Sequence, residues 1–351
     1  MSEAVRRVLT GMRTTGALHL GHYVGALTLW LEAQKDPNLE CFFLLADLQA
    51  LTTHADRPEL IRDSVRQVTL DWMAVGLEYW KPNVNFVLQS QVPARGMLFH
   101  LLSNVVRWSE VERNPTIKEE LKSVGGNPSA GFMVYVVDQA ADIYMVSPPN
   151  KSGNQLLVPV GADQLPHLND ARMWARRFNR DYAPVFRPCE GQVGKVGRLV
   201  GTDGDSKMSK SLGNAIMLSD TPEVVTEKVM GMFTDPNRIH RTSPGDPENN
   251  PVFTYLDAFD PDPEQIQEFK SIYRAGEING VSIGDVELKR RLASVLNDFL
   301  NPIREKRHEV VRYDLEGILQ KGTARANGIA NEVLDRAMEA MHLGFKGVNK
   351  Q

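Results

Sequence analysis

Three observations predict an α/β fold built on a doubly wound parallel sheet and extended by an α-helical module. Short continuous apolar runs recur through the first 160 residues, as strands buried on both faces require. Segments of helical period separate those runs. Beyond about residue 221 only helical patterns remain.

The elements follow in order. Residues 6–10 (Arg-Arg-Val-Leu-Thr) read as the end of a buried strand, and apolar residues then recur at helical spacing over 18–31. Residues 41–45 form a second strand, ending at Ala46-Asp47. The helix over 58–75 has Asp56 as its cap and Gly76 as its stop. Residues 85–89 are the third strand, and a long helix follows Pro93 through Leu98, Leu101, Leu102 and Val105. A fourth strand over 156–160 leads into a helix over 164–178. Such alternation places ligands at the carboxyl ends of the strands. In the tail, Ser243-Pro244-Gly245-Asp246-Pro247 and Asp260-Pro261-Asp262-Pro263 break the helices apart. A chain of 351 residues exceeds one core, which divides it into a sheet domain over 1–200, a helical module over 201–305 and C-terminal helices over 306–351 packing back towards the first.

Composition excludes several classes. No stretch approaches 18 uninterrupted apolar residues, so no membrane span is expected, and the N-terminus lacks the apolar core of a signal peptide. The two cysteines, Cys41 and Cys189, form no CxxC or Cys/His cluster, which points to a reducing cytoplasm and to no resident metal site. A net charge of −4 does not advertise nucleic-acid binding. Any RNA contact must rest on local patches, the candidates being Arg172, Arg176, Arg177 and Arg180, and Lys289-Arg290-Arg291 with Arg304, Lys306 and Arg307.

Two motifs carry chemistry. Behind the first strand, Thr10-Gly11-Met12-Arg13-Thr14-Thr15-Gly16-Ala17-Leu18-His19-Leu20-Gly21-His22 joins a glycine turn to a helix start. That combination offers free N–H groups and a positive dipole end to phosphates. His19 and His22, three apart, face one side of the helix and can donate ring N–H groups to phosphate oxygens. Far downstream, Lys207-Met208-Ser209-Lys210-Ser211 follows the polar lead-in Thr202-Asp203-Gly204-Asp205-Ser206. A mobile loop with two lysines can close over a pyrophosphate leaving group, and such chemistry needs positioning and charge rather than a side-chain nucleophile.

This pair resembles the two signatures of the class I aminoacyl-tRNA synthetases, and the chain from Leu9 to about Gly344 resembles the bacterial-type tryptophanyl family. Val158-Pro159-Val160-Gly161-Ala162-Asp163-Gln164 with His167 is similar to that family's segment beside the amino-acid pocket. The stretch from Tyr135 to Ala140-Ala141-Asp142-Ile143 resembles its side-chain-reading helix, and Pro115-Thr116-Ile117-Lys118 a segment whose lysine approaches ATP. The resemblance implies a Rossmann-like catalytic domain and an α-helical anticodon-binding domain. It implies ATP, with Mg²⁺ on its phosphates, activating L-tryptophan for transfer to tRNA-Trp, in a cytoplasmic homodimer. The catalytic residues implied are His19, His22, Lys207, Lys210 and Lys118. ATP contacts fall to Arg13, Thr14, Thr15, Gly21, His22, Gly161, Asp163, Lys207, Met208, Ser209 and Lys210, and tryptophan contacts to Gly11, Tyr135, Gln139, Asp142 and Gln164. Asp142 would accept the indole N–H, a donor with no acceptor capacity.

The chain departs from the family pattern at Arg13, where an amide is common, at Gln49, where histidine is frequent, and at Gln139, usually methionine. Residues 147–154 resemble an inserted surface loop. The spacing Tyr135-x3-Gln139-x2-Asp142 also matches tyrosyl-tRNA synthetases, which leaves tyrosine open as the substrate. A synthetase paralogue with a regulatory or partner-binding role is a further alternative. The 185 positions from His22 to Lys207 leave no room for a large editing domain, which suits an aromatic substrate.

Overall fold

The computed structural model describes residues 4–124, 127–194, 199–204, 208–210 and 212–344. One parallel sheet runs in the order β3-β2-β1-β4-β5, from β1 (Arg6–Arg13), β2 (Leu39–Ala46), β3 (Val84–Leu88), β4 (Gln155–Val160) and β5 (Glu190–Val193). The four predicted strands are all present. β5 was not legible: Glu-Gly-Gln-Val is short, polar and mostly exposed.

Both faces of the sheet are covered, which explains the unbroken apolar runs. Val8 and Phe43 belong to one buried cluster, and their neighbours Leu9 and Phe42 to another. The first cluster stacks Trp30 on Phe43 at 5.1 Å between ring centroids, with Trp72 and Phe86 edge-on beside them. The second is closed by α5 (Pro93–Ser103), α8 (Ala130–Tyr144) and α9 (Leu165–Asp181). Leu98, Leu101 and Leu102 point into it, so the apolar face of the helix after Pro93 is core.

The helix expected over 18–31 is broken in a specific way. It begins as α1 (Leu20–His22), widens into a π turn over Tyr23–Leu27, and continues as α2 (Thr28–Ala33). Leu18 and His19 stay extended because their backbone is engaged elsewhere. The Leu18 N–H donates to Asp71 Oδ2 at 2.7 Å, its carbonyl accepts from Leu218 N–H at 2.9 Å, and His19 pairs antiparallel with Met217. Asp71 lies on α4 (Pro58–Ala74) and also accepts from Arg307 Nε at 2.8 Å, on α13 (Asp285–Val310). One buried carboxylate thus joins the first motif, the sheet domain and the helical tail.

Three short helices went unread in the sequence: α3 (Asp47–His54), α6 (Trp108–Arg113) and α7 (Pro115–Val124). The tail comprises α10 (Pro222–Met230), α11 (Pro251–Phe259), α12 (Pro263–Ala275), α13 and α14 (Leu315–Ala340). α14 lies on β3: Gly322 abuts the Phe86 carbonyl, and Thr323 Oγ1 accepts the Leu88 N–H at 3.0 Å. That contact covers the open sheet edge. The 147–154 loop is pinned at both ends, Ser147 Oγ accepting the Arg187 N–H and Asn154 Oδ1 the Val5 N–H, each at 2.8 Å.

Gly11 is demanded by the sheet itself, since a Cβ there would lie 2.5 Å from the Leu44 carbonyl oxygen on β2. Gly11→Ala should lower the free energy of urea unfolding by about 2 kcal/mol, the cost of overpacking against backbone. Gly25→Ala, where a Cβ meets nothing within 4 Å, should leave the midpoint unchanged or raise it slightly.

Candidate functional site

Order reverses across β1, with β2 on one side and β4 on the other. The β1–β4 ladder stops at Val8 and Leu157, and beyond it the strands part. Thr10 Oγ1 spans the gap by donating to the Pro159 carbonyl at 2.7 Å. A cavity of about 260 Å³ opens at these carboxyl ends, walled by Leu9 to Arg13, Leu44, Ala46 and Val158 to Gly161. This is the switch point where open α/β sheets bind ligands.

Eight of the residues given a catalytic or binding role from the sequence line this one cavity: Gly11, Arg13, His22, Tyr135, Gln139, Asp142, Gly161 and Gln164. His19 is buried against His22, their ring centroids 3.8 Å apart. The His19 backbone N–H donates to His22 Nδ1 at 3.2 Å, so His22 carries its proton on Nε2. Thr14 is fully buried behind the turn, and Thr15 is half-buried on it. Asp163 is exposed just past β4, and a Cβ on Gly161 would lie 2.7 Å from its Oδ1.

The described part of the second motif lies on the first. The Gly21 N–H points to Met208 Sδ at 3.4 Å, and Lys210 Nζ donates to the Ala17 carbonyl at 3.1 Å. A Cβ on Gly21 would meet the His19 ring at 3.0 Å and Met208 Sδ at 3.4 Å, and Gly16, at φ +112°, lies directly under Lys210 Nζ. The Ser209 N–H donates to Asn214 Oδ1 at 2.7 Å, and Asn214 Nδ2 to Asp203 at 2.7 Å, which ties the two stems of the loop together. Burial pulls the Lys210 ammonium down to about 8. Lys207 falls outside the described residues. Lys118 is exposed on α7 and is not part of the cavity wall.

The floor of the cavity is a buried polar cluster around Asp142, which is 2% exposed. Its Oδ1 accepts from Arg95 Nε at 2.6 Å; its Oδ2 accepts from Gln89 Nε2 at 2.7 Å and Gln49 Nε2 at 3.0 Å. Burial pushes this carboxyl up, Arg95 draws it down, and Asp138 reinforces burial. All three partners are donors, the geometry of an ionised carboxylate. Burial works against the Arg95 charge, but Asp142 and Asp138 outweigh it and keep the guanidinium protonated. Gln49 thus takes up the place of the expected histidine by donating to Asp142. Gln139 Nε2 donates to Gln164 Oε1 at 3.3 Å.

A second chain of bonds orients Tyr135. Asn114 caps α7 by accepting from the Thr116 and Ile117 N–H groups through Oδ1. Its Nδ2 donates to Asp170 at 2.7 Å and faces His167 Nδ1 at 3.1 Å. His167 therefore carries its proton on Nε2, which donates to Tyr135 OH at 3.2 Å. The Tyr135 hydroxyl is left to donate to Glu120, another cavity residue. Asn114, Glu120, Arg95 and Gln89 were all missed in the sequence. Arg95 and Asp142 are 47 positions apart, and no local pattern announces such a pair.

The basic patches are largely committed to structure. Lys289 is buried, with Nζ on the Met230 and Met232 carbonyls at 3.2 and 2.6 Å, so it cannot face RNA. Arg177 engages Glu110 with both Nη atoms, and Arg307 is held by Asp71. Arg176 and Arg290 remain exposed. Among the described residues, no group of three or more His, Cys, Asp or Glu is arranged to hold a metal ion, and no helix is long and apolar enough to cross a membrane.

Burial holds the His167 imidazole down to about 4. Because that lies below the free value of about 6.5, the neutral ring stabilises the fold fully above pH 6.5 and the contribution is lost as pH falls through 4. Wild type should therefore lose about 3 kcal/mol of unfolding free energy over that range through this group. His167→Gln should show a correspondingly shallower acid dependence in urea titrations at fixed pH.

A family model described as tRNA synthetases class I (W and Y) matches residues 1–301. The tryptophan–tRNA ligase of Clostridium longisporum is 41% identical over 345 residues, covering 96% of this chain and 97% of that protein. That of Lactococcus lactis is 43% identical over 351 residues, covering 96% and 98%. Among solved structures, tryptophanyl-tRNA synthetase from Campylobacter jejuni, complexed with ADP and tryptophan, matches with a TM-score of 0.78 at 29% identity, over 96% of this chain and 100% of its own. A tyrosyl-tRNA synthetase from Archaeoglobus fulgidus shares the fold, at a TM-score of 0.64 and 22% identity. With its model matched over most of the sequence and full-length relatives above 40% identity, the chain belongs to the class I tRNA synthetases of the tryptophan and tyrosine branch.

Proposed function

We propose that this chain is a tryptophan–tRNA ligase, which joins L-tryptophan to ATP as tryptophanyl-adenylate, releases pyrophosphate, and transfers tryptophan to tRNA-Trp. The observation that carries it is a cavity lined by the glycine turn, His22 and a clamped carboxylate, with the Met208–Lys210 loop bonded to Gly21 and Ala17 of that same turn. The family uses ATP, and the curated relatives favour tryptophan over tyrosine.

In this reading the triphosphate lies along the turn, with Thr14, Thr15, Gly21, Gly161, Asp163 and Arg13 around the nucleotide. His19 and His22 donate to phosphate oxygens, His22 through its Nε2–H. Lys210, with Lys207 and Met208-Ser209 in the same loop, stabilises the pyrophosphate as it leaves, and Lys118 adds charge from the other side. Mg²⁺, held by the phosphates rather than by side chains, would neutralise part of their charge when bound. The substrate carboxylate attacks the α-phosphorus, the bond to pyrophosphate breaks, and no side chain becomes covalently attached. Positioning and fixed charge lower the barrier.

At the floor, Asp142 accepts the indole N–H. Gln164 and Tyr135 receive the α-ammonium through their oxygens, Gln139 supports Gln164, and Gly11 keeps the wall of the pocket thin. The helical tail reads the anticodon, exposed Arg176 and Arg290 contribute to the tRNA-facing charge, and the protein works as a cytoplasmic homodimer.

ATP–pyrophosphate exchange tests this reading. Tryptophan should support exchange and tyrosine should not, with a kcat/KM ratio above about a hundred, the scale of discrimination a dedicated polar contact supplies. Exchange supported by tyrosine alone, or by neither amino acid, would overturn it.

A further inference from the structure

Asp142 is not held by its own helix. It projects from α8 into a buried polar cluster built by three other elements: Gln49 from α3, Gln89 from the 3-10 turn Gln89–Gln91, and Arg95 from the first turn of α5. Arg95 is itself 4% exposed and is not part of the cavity wall, so it touches no ligand there. Its planar fork is divided: Nε goes to Asp142 Oδ1 at 2.6 Å and Nη2 to Asp138 one turn earlier on α8. A lysine has no such fixed fork and cannot reproduce the pair of directions.

The count of acceptor sites gives the consequence. A carboxylate offers about four lone-pair directions. Three are occupied by Arg95, Gln89 and Gln49. Asp142 lines the cavity, and the site left over, the second on Oδ1, is the one available to a ligand there. A buried carboxylate without its cation is driven towards its protonated form, whose hydroxyl donates and whose remaining oxygen is a neutral, weaker acceptor for an N–H group.

We infer that Arg95 is the positioning residue that makes Asp142 a single-direction acceptor, and that through Asp142 it selects a substrate ring carrying an N–H donor. The inference deepens the proposed function and rests on its assignment of Asp142 to the indole. The recognition is then set by a residue that never contacts the amino acid.

The test compares tryptophan with 3-benzothienylalanine, in which sulfur replaces the ring N–H at nearly the same shape. The readout is the ratio of their kcat/KM values in ATP–pyrophosphate exchange. One hydrogen bond to a charged acceptor is worth about tenfold to a hundredfold, so wild type should prefer tryptophan by that factor. Arg95→Lys, which keeps the charge, should reduce the ratio about fivefold, and Arg95→Met should bring it near one, with KM for ATP unchanged in both. A purely structural role would slow both substrates alike and leave the ratio intact, and that result in either folded variant overturns the inference. Should Arg95→Met fail to fold, Arg95→Lys decides alone. A wild-type ratio near one removes Asp142 as the N–H acceptor and takes the inference with it, whereas exchange dependent on tryptophan would still support the enzyme's identity.

Discussion

The site depends on a short antiparallel pairing between two segments nearly 200 residues apart. The Leu20 N–H donates to the Ile216 carbonyl at 3.0 Å, the Leu218 N–H donates to Leu18 at 2.9 Å, and His19 faces Met217 between them. These backbone bonds are local to the turn and need no particular side chain, but they dictate where the second motif returns. With 216–218 anchored, Met208 and Lys210 have little choice but to lie over Gly21 and Gly16. Asp71 reinforces the arrangement from behind by holding the Leu18 N–H and Arg307 together. Breaking that carboxylate's contacts would loosen the turn, the loop and α13 at once.

The cavity is equally a product of strand geometry. β1 and β4 stay paired only as far as Val8 and Leu157, and Thr10 bridges the opening where they diverge. Residues 11–13 of the turn and His22 line one part of the cavity, and another part is a carboxylate held by a buried cation. The two parts suit the two ends of the reaction: phosphate charge at one, a ring with one polar atom at the other. The burial that shapes the pocket also sets its protonation, holding His167 neutral and making Asp142 depend on Arg95.

What the sequence disclosed was periodic or contiguous. The strand cores are local patterns and lie where those patterns place them, and the glycine turn is met by the described Met208 and Lys210 of the second motif. The departures from expectation are non-local. Leu18 looked helical by its spacing but is pulled out of the helix by Asp71 and Leu218. Lys289 looked like surface charge by its neighbours but is buried against the Met230 and Met232 carbonyls. Arg95, Gln89 and Asn114 gave no signal because each matters only through a partner on another element. A polar residue near a helix start is ordinary in sequence; its meaning comes from the fold.

In the proposed reaction the imidazoles of the turn and the lysine loop act on one triphosphate. A double-mutant cycle measures this directly, with single-turnover rates of adenylate formation for His22→Asn, Lys210→Gln and the pair. Groups sharing one transition state should couple, the double variant losing less than the product of the single losses, by a factor of about five or more. Losses that multiply without coupling would mean that the two motifs act on separate charges and do not form one site.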